Sequence, residues 1–224
     1  MVVTVICTLW VLVTTFVCRL WVLVVDIWCS IICAFRRLLA PNEFSQSRSE
    51  CIYGWTAAYR IEETRDCVLS ITLRIRLVPD TGVSAADIAT VIARWEPAIE
   101  AAWSGQFPLV LTDGSCRCRR YAVVVDVQFV QSGEHHTVTV HAGSGRADMG
   151  NFYVNSTGGT AAHESGHMFG NPDEYADPNC NSRTVTSDGS IMQNSQTGTV
   201  KRRHYQGFAD WISNHTCCTY TVGG

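Results

Sequence analysis

Between residues 69 and 77 the side chains alternate. Leu69, Ile71, Leu73, Ile75 and Leu77 are apolar, and Ser70, Thr72, Arg74 and Arg76 between them are polar. A period of two predicts a strand with one buried and one wet face. Pro79-Asp80-Thr81-Gly82 predicts a turn after it. From Ser84 onward the period changes. Ile88, Val91, Ile92, Trp95, Ile99 and Trp103 recur at spacings of three and four, a helical stripe opened by a capping box of Ser84 and Asp87. Pro97 lies inside this stripe and lacks a backbone donor, so a kink or a split is expected there. Trp95 and Trp103 are expected as core anchors. Shorter alternations predict strands over 109–111, 121–129 and 136–141, with a weaker one at 152–154. Helical patterns follow from about residue 157 and over about 200–213. There is no internal repeat. The order of strand, helix, several strands, helix, long loop and helix predicts an α+β domain around one twisted mixed sheet.

The first 40 residues do not belong to this pattern. They carry only Arg19, Asp26, Arg36 and Arg37 as charges, and Met1 to Cys18 is uncharged. About 18 apolar residues are enough for a helix to cross a bilayer, so residues 1–35 are expected to reach a membrane. No basic residue precedes position 19, which argues against an ordinary cleavable signal; an unusual export signal is the other reading. Residues 41–50 are polar and read as a linker, 41–66 together as the approach to the domain, and 67–224 as the domain proper. The whole chain has 224 residues and a net charge of -3, which leaves no broad basic face for nucleic acid. Seven of the eleven cysteines lie beyond the leader: Cys51, Cys67, Cys116, Cys118, Cys180, Cys217 and Cys218. That density suggests an oxidising compartment with three bridges and one cysteine left over, in a protein that is membrane-anchored or secreted. Arg36 and Arg37 behind the apolar run argue for a cytoplasmic domain instead, so the side of the membrane stays open.

The chemistry is concentrated in His163-Glu164-Ser165-Gly166-His167 and the residues that follow. Side chains four apart on a helix share a face, so His163 and His167 can aim two imidazole nitrogens at one cation. Glu164 sits where its carboxylate reaches a metal-bound water without binding the metal. Gly170 can end the helix in the left-handed conformation and Pro172 prevents its resumption, which brings Asp173 back toward the histidines. Three protein ligands and an open fourth position suit a catalytic zinc ion.

The pattern His163-Glu164-x-x-His167-x-x-Gly170-x-x-Asp173 resembles the elongated zinc-binding motif of the metzincin metalloproteases. In most of that clan the last residue is His, and the Asp variant resembles the small snapalysin-type bacterial peptidases. Ser190-Ile191-Met192, 25 residues after His167, resembles the clan's Met-turn, and 200–213 its C-terminal helix. The resemblance implies a zincin fold and a zinc endopeptidase in which Zn2+ is held by His163, His167 and Asp173. It further implies that Glu164 activates a zinc-bound water, Met192 supports the site from below, and Gly170 makes the turn. Where some members carry a Tyr two residues after the Met, this chain has Asn194. Tyr175, His204 and Tyr205 are then candidates for a transition-state donor. The partner implied is a protein or peptide substrate, paired with an edge strand for which Asn151, Phe152 and Tyr153 are the candidates. Two other readings stand beside it: a membrane-anchored zinc-binding interaction domain without turnover, and the same enzyme as a delivered toxin-like effector. Arg117, Arg119 and Arg120, and likewise Lys201, Arg202 and Arg203, are expected as solvated flanks. His135, His136 and His141 are expected as surface or edge-strand histidines rather than an accessory metal site.

Overall fold

The computed structural model describes residues 42–224 and, before them, scattered helical positions between Phe16 and Cys33. The membrane segment expected over residues 1–35 falls largely outside the described residues; among these, no helix is long and apolar enough to cross a membrane. Two compact units divide the chain. One gathers Met1–Ala40 with His215–Cys217 and contains the disulfide Cys33–Cys217; the other is Pro41–Asn214 with Cys218–Gly224.

The larger unit is a mixed α+β domain. Its elements run β1 (Glu43–Glu50), β2 (Tyr53–Glu63), β3 (Val68–Pro79), α1 (Ala85–Trp103), β4 (Leu109–Asp113), β5 (Arg120–Phe129), β6 (His136–His141), β7 (Asn151–Tyr153), α2 (Gly158–Met168), a 3-10 turn (Arg202–Tyr205), α3 (Gln206–Thr216) and β8 (Thr219–Val222). β3 is the centre of the sheet. One of its edges carries β5 in parallel; the other is shared between β2, antiparallel to its first half, and β6, parallel to its second half. β7 continues the sheet in parallel beyond β6, and β4 and β8 extend it antiparallel beyond β5.

The alternation in β3 has its expected result. Leu69, Ile71, Leu73 and Ile75 are buried while Ser70, Thr72, Arg74 and Arg76 are half-exposed. The buried side of the sheet meets Val91, Trp95, Ile99 and Trp103 of α1. The Ser84–Asp87 capping box forms, and α1 runs through Pro97 without a break. Two indole groups link this helix to the next. Trp95 Nε1–H donates to Ser156 O and Trp103 Nε1–H to Ala162 O, each at 2.9 Å. Buried Trp rings that also satisfy their N–H fix distance and register together.

The segment expected as a linker is strand β1, paired residue by residue with β2 from Glu43↔Arg60 to Glu50↔Tyr53. The hairpin belongs to the domain rather than leading up to it. β1 escaped the periodicity because an edge strand is held by its ladder and here by charges: Glu43 faces Arg60, Arg74 and His135. Phe44, stacked on Tyr59 at 4.6 Å, is its apolar contact.

The cysteines beyond the leader form three bridges, Cys51–Cys180, Cys67–Cys118 and Cys116–Cys218, and the remaining one, Cys217, pairs with Cys33. These four disulfides among the described residues point to an oxidising environment, extracellular or secretory.

His136 gives the fold a pH dependence. Burial pushes its pKa from 6.5 down to about 4, opposed by its bond to Ala58 O. The folded state therefore keeps the imidazole neutral where the unfolded chain protonates it. Stability is unaffected above about pH 6.5 and falls as pH drops toward about 4, by up to about 3 kcal/mol. Denaturant unfolding at pH 7 and pH 4.5 should show this loss, and His136→Gln should remove most of the difference.

Candidate metal centre

α2 is built to be positioned rather than to be stable alone. Its sequence, GGTAAHESGHM, contains three glycines, each costing about 1 kcal/mol of intrinsic propensity. Thr157 caps it by accepting from Thr160 N–H at 3.1 Å. Gly166, between the two histidines, faces Met192 and Trp103 so closely that a Cβ there would collide with the Met192 sulfur. Met192 is fully buried. After Met168 the helix closes on Gly170, whose φ of 97° suits glycine. Gly170 N–H donates to His167 O and Asn171 N–H to Gly166 O.

Backbone carbonyls set both imidazoles. His163 Nδ1 meets Ile191 O at 2.7 Å, and His167 Nδ1 meets Asn171 O at 2.8 Å. A carbonyl can only accept, so each Nδ1 carries its proton and each Nε2 is turned to the cleft. There Asp173 Oδ1 lies 3.3 Å from His163 Nε2 and 3.1 Å from His167 Nε2. That oxygen is buried and makes no well-formed hydrogen bond among the described residues. Glu164 is 5% exposed, with Oε1 4.0 Å from His163 Nε2. His163, Glu164 and His167 form a buried group able to hold a metal ion.

The electrostatics fit a cation. Burial opposes charge on Asp173, yet the facing imidazoles of His163 and His167 hold its carboxyl far below the usual carboxylate range. Burial likewise opposes charge on His163, but Asp173, Glu164 and Ile191 O together raise its pKa. Burial raises the Glu164 pKa against the pull of the two histidines, the direction that suits a general base working near neutral pH.

Glu174, adjacent to Asp173, points elsewhere. Its carboxylate takes Arg203 Nε at 2.5 Å and Nη2 at 2.6 Å, and His204 Nε2 lies 3.3 Å away. Its own N–H donates to Met192 O at 2.9 Å, which ties the loop after α2 to the turn at 190–194. That turn is closed by Met192 N–H to Ser190 Oγ and by Gln193 and Asn194 N–H to Ser190 O. It both underlies α2 and supplies the carbonyl that orients His163.

A cleft of about 190 Å³ opens over these residues. Its other walls are Glu50, Tyr53 and Trp55 from the hairpin, Arg146–Met149, and Tyr175, Asp177 and Arg183 from the loop after α2. Trp55 Nε1–H donates to His167 O at 3.0 Å, with its ring edge-on to the imidazole. Asn151, Phe152 and Tyr153 do not line this cleft. Phe152 is buried against Trp95, Asn151 bonds Asp148 and His141, and Tyr153 lies beside His141. The wall is the preceding stretch, turned back by the antiparallel bridge Asp148↔Asn151. Among the candidate donors, Tyr205 donates to Trp103 O in the core and His204 serves Glu174, which leaves Tyr175 in the cleft. His135, His136 and His141 are separately engaged, by Glu43, Ala58 O, and Asp80 with Asn151.

Sequence reasoning missed Gly166, Arg146, Arg183 and the hairpin residues. Gly166 carried a signal, as a glycine inside a helical motif. The others carried none, because they reach the centre through tertiary contacts alone. No family model, curated protein or solved structure matches the chain.

Two substitutions separate the adjacent acids. Asp173→Ala should lower zinc affinity severely, by about 100-fold or more, while Glu174→Gln should bind zinc nearly as the parent does, as read by competition with a chromogenic chelator. Binding should also weaken on acidification below the raised His163 pKa, because a proton must then leave before the ion enters.

Proposed function

We propose that the chain is a zinc-dependent endopeptidase of metzincin type. The observation that carries the reading is the convergence of His163 Nε2, His167 Nε2 and Asp173 Oδ1, with both Nδ1 protons committed to carbonyls. Zinc bonds of about 2.0–2.2 Å in a tetrahedron put ligand atoms about 3.3–3.6 Å apart. The separations of 3.3 and 3.1 Å are close to that before any ion draws on them. Zinc in such a site supplies Lewis acidity toward an attacking water and a scissile carbonyl.

The chain's own residues do the rest. Glu164 takes a proton from the attacking water and delivers it to the leaving amine as the C–N bond breaks. Tyr175 stands at the cleft with its hydroxyl oxygen 3.2 Å from Arg146 Nη2, the place for a donor to the developing oxyanion. Arg146–Met149, which line the cleft beside the bridge Asp148↔Asn151, are the stretch along which a peptide substrate would lie. The parallel strands around β3, the helix pair α1 and α2, the buried Met192 under the histidines and the terminal α3 support the metzincin assignment. A non-catalytic zinc domain would have no use for a buried carboxylate beside the first histidine.

On unfolded casein, Glu164→Ala should lose about 10²–10⁴-fold in rate while keeping its zinc. His163→Ala and His167→Ala should lose zinc and activity together. Tyr175→Phe should keep zinc and lose about 10²-fold or more in kcat. Full zinc occupancy with no cleavage by the parent protein would favour the domain without turnover.

A further inference from the structure

Arg183 reaches the centre from the far end of the loop after α2. Its side chain is 2% exposed and its guanidinium lies over the rings of Tyr53 and Tyr175, at 5.5 and 5.0 Å. Nε donates to Glu50 Oε2 at 2.8 Å. Nη1 is buried, 3.5 Å from Asp173 Oδ2 and 3.7 Å from Asp177 Oδ2, and forms no hydrogen bond among the described residues. Asp173 is thus flanked on both sides: Oδ1 stands between the imidazoles, and Oδ2 faces a guanidinium.

Holding the loop near the hairpin does not require this arginine. Cys51–Cys180 already joins the two segments covalently, next to Glu50 and three residues before Arg183. What remains for a buried, ring-stacked planar cation is aim. A carboxylate can rotate about its own bond, and a charge fixed on the side of Oδ2 turns Oδ1 toward the metal. A lysine, a point charge on a flexible stem, lacks the planar fork and the stacking faces that fix that direction.

We propose that Arg183 is the positioning residue for the third metal ligand, anchored through Glu50 to the β1–β2 hairpin so that Asp173 Oδ1 is presented to the two histidines. The proposal rests on the metal-centre reading above, and its test does not depend on peptidase activity.

The test is a double-mutant cycle on zinc affinity, with full-length protein, zinc as the probe and a competing chelator. Arg183→Lys is expected to weaken zinc about 10–100-fold, the usual cost of losing an outer partner of a ligand. In an Asp173→His background, where no carboxylate remains to be aimed, the same substitution should change affinity by less than about twofold. If Arg183→Lys does not fold, Glu50→Gln reads the same chain of contacts from its outer end. It is expected to weaken zinc about tenfold, and again only while Asp173 is present. Equal losses in both backgrounds would show that Arg183 merely supports the fold, and unchanged affinity would overturn the proposal outright. A parent protein that takes up no zinc would remove the metal centre itself, and the proposal with it.

Discussion

Two imidazole nitrogens and a carboxylate oxygen face one another in a buried place, and they tolerate this only around a positive charge. In a medium of low polarity, unpaired acceptors cannot be left to solvent. A proton or a metal ion has to neutralise them. Much of the domain serves to hold these three groups where that demand arises. The indoles of Trp95 and Trp103 fix α2 against α1. Gly166 lets the helix settle onto Met192, and Ile191 O and Asn171 O turn the rings. Glu174, held by Arg203, keeps the loop from drifting off the turn that supplies the first of those carbonyls.

The parts that were legible in the sequence are those whose information is local. The alternation in β3, the stripe and cap of α1, and the histidine pair on α2 each depend on spacing along one element. Their chemistry follows from geometry that an isolated strand or helix already has. Asp173 was legible because Gly170 and Pro172 constrain the chain within a few residues of His167. Residues 43–50 were not, because their polar side chains belong on an exposed edge and their pairing is written in β2. The edge strand expected at Asn151–Tyr153 lies off the cleft for a related reason: the bridge Asp148↔Asn151 turns 146–149 toward the opening and leaves Phe152 to the core. Arg183 had no local signature. Its meaning lies in Glu50, Tyr53 and Tyr175, and in a sequence it reads as one more basic residue in a loop.

The disulfides divide their work along the same lines. Cys67–Cys118 and Cys116–Cys218 tie β3, β5 and β8 together at the end of the sheet. Cys51–Cys180 instead staples the loop after α2 to the tip of the hairpin. The loop has little regular structure of its own, and an irregular segment of this length needs such ties to keep one conformation.

The groups around the centre differ greatly in how far apart they lie along the chain. His163, His167 and Asp173 fall within eleven residues, whereas the Glu50–Arg183 pair spans 133 and Cys51–Cys180 spans 129. Short loops close early and long ones late. On a newly made chain these three groups are therefore neighbours as soon as α2 and its turn form, while Glu50 and its partners join them only when the hairpin docks. In this order, capture of an ion would be a local event and its tightening a global one. For an ion held there, lifetime on the protein would then be a clock for maturation: brief while the hairpin is loose, and long once it has docked.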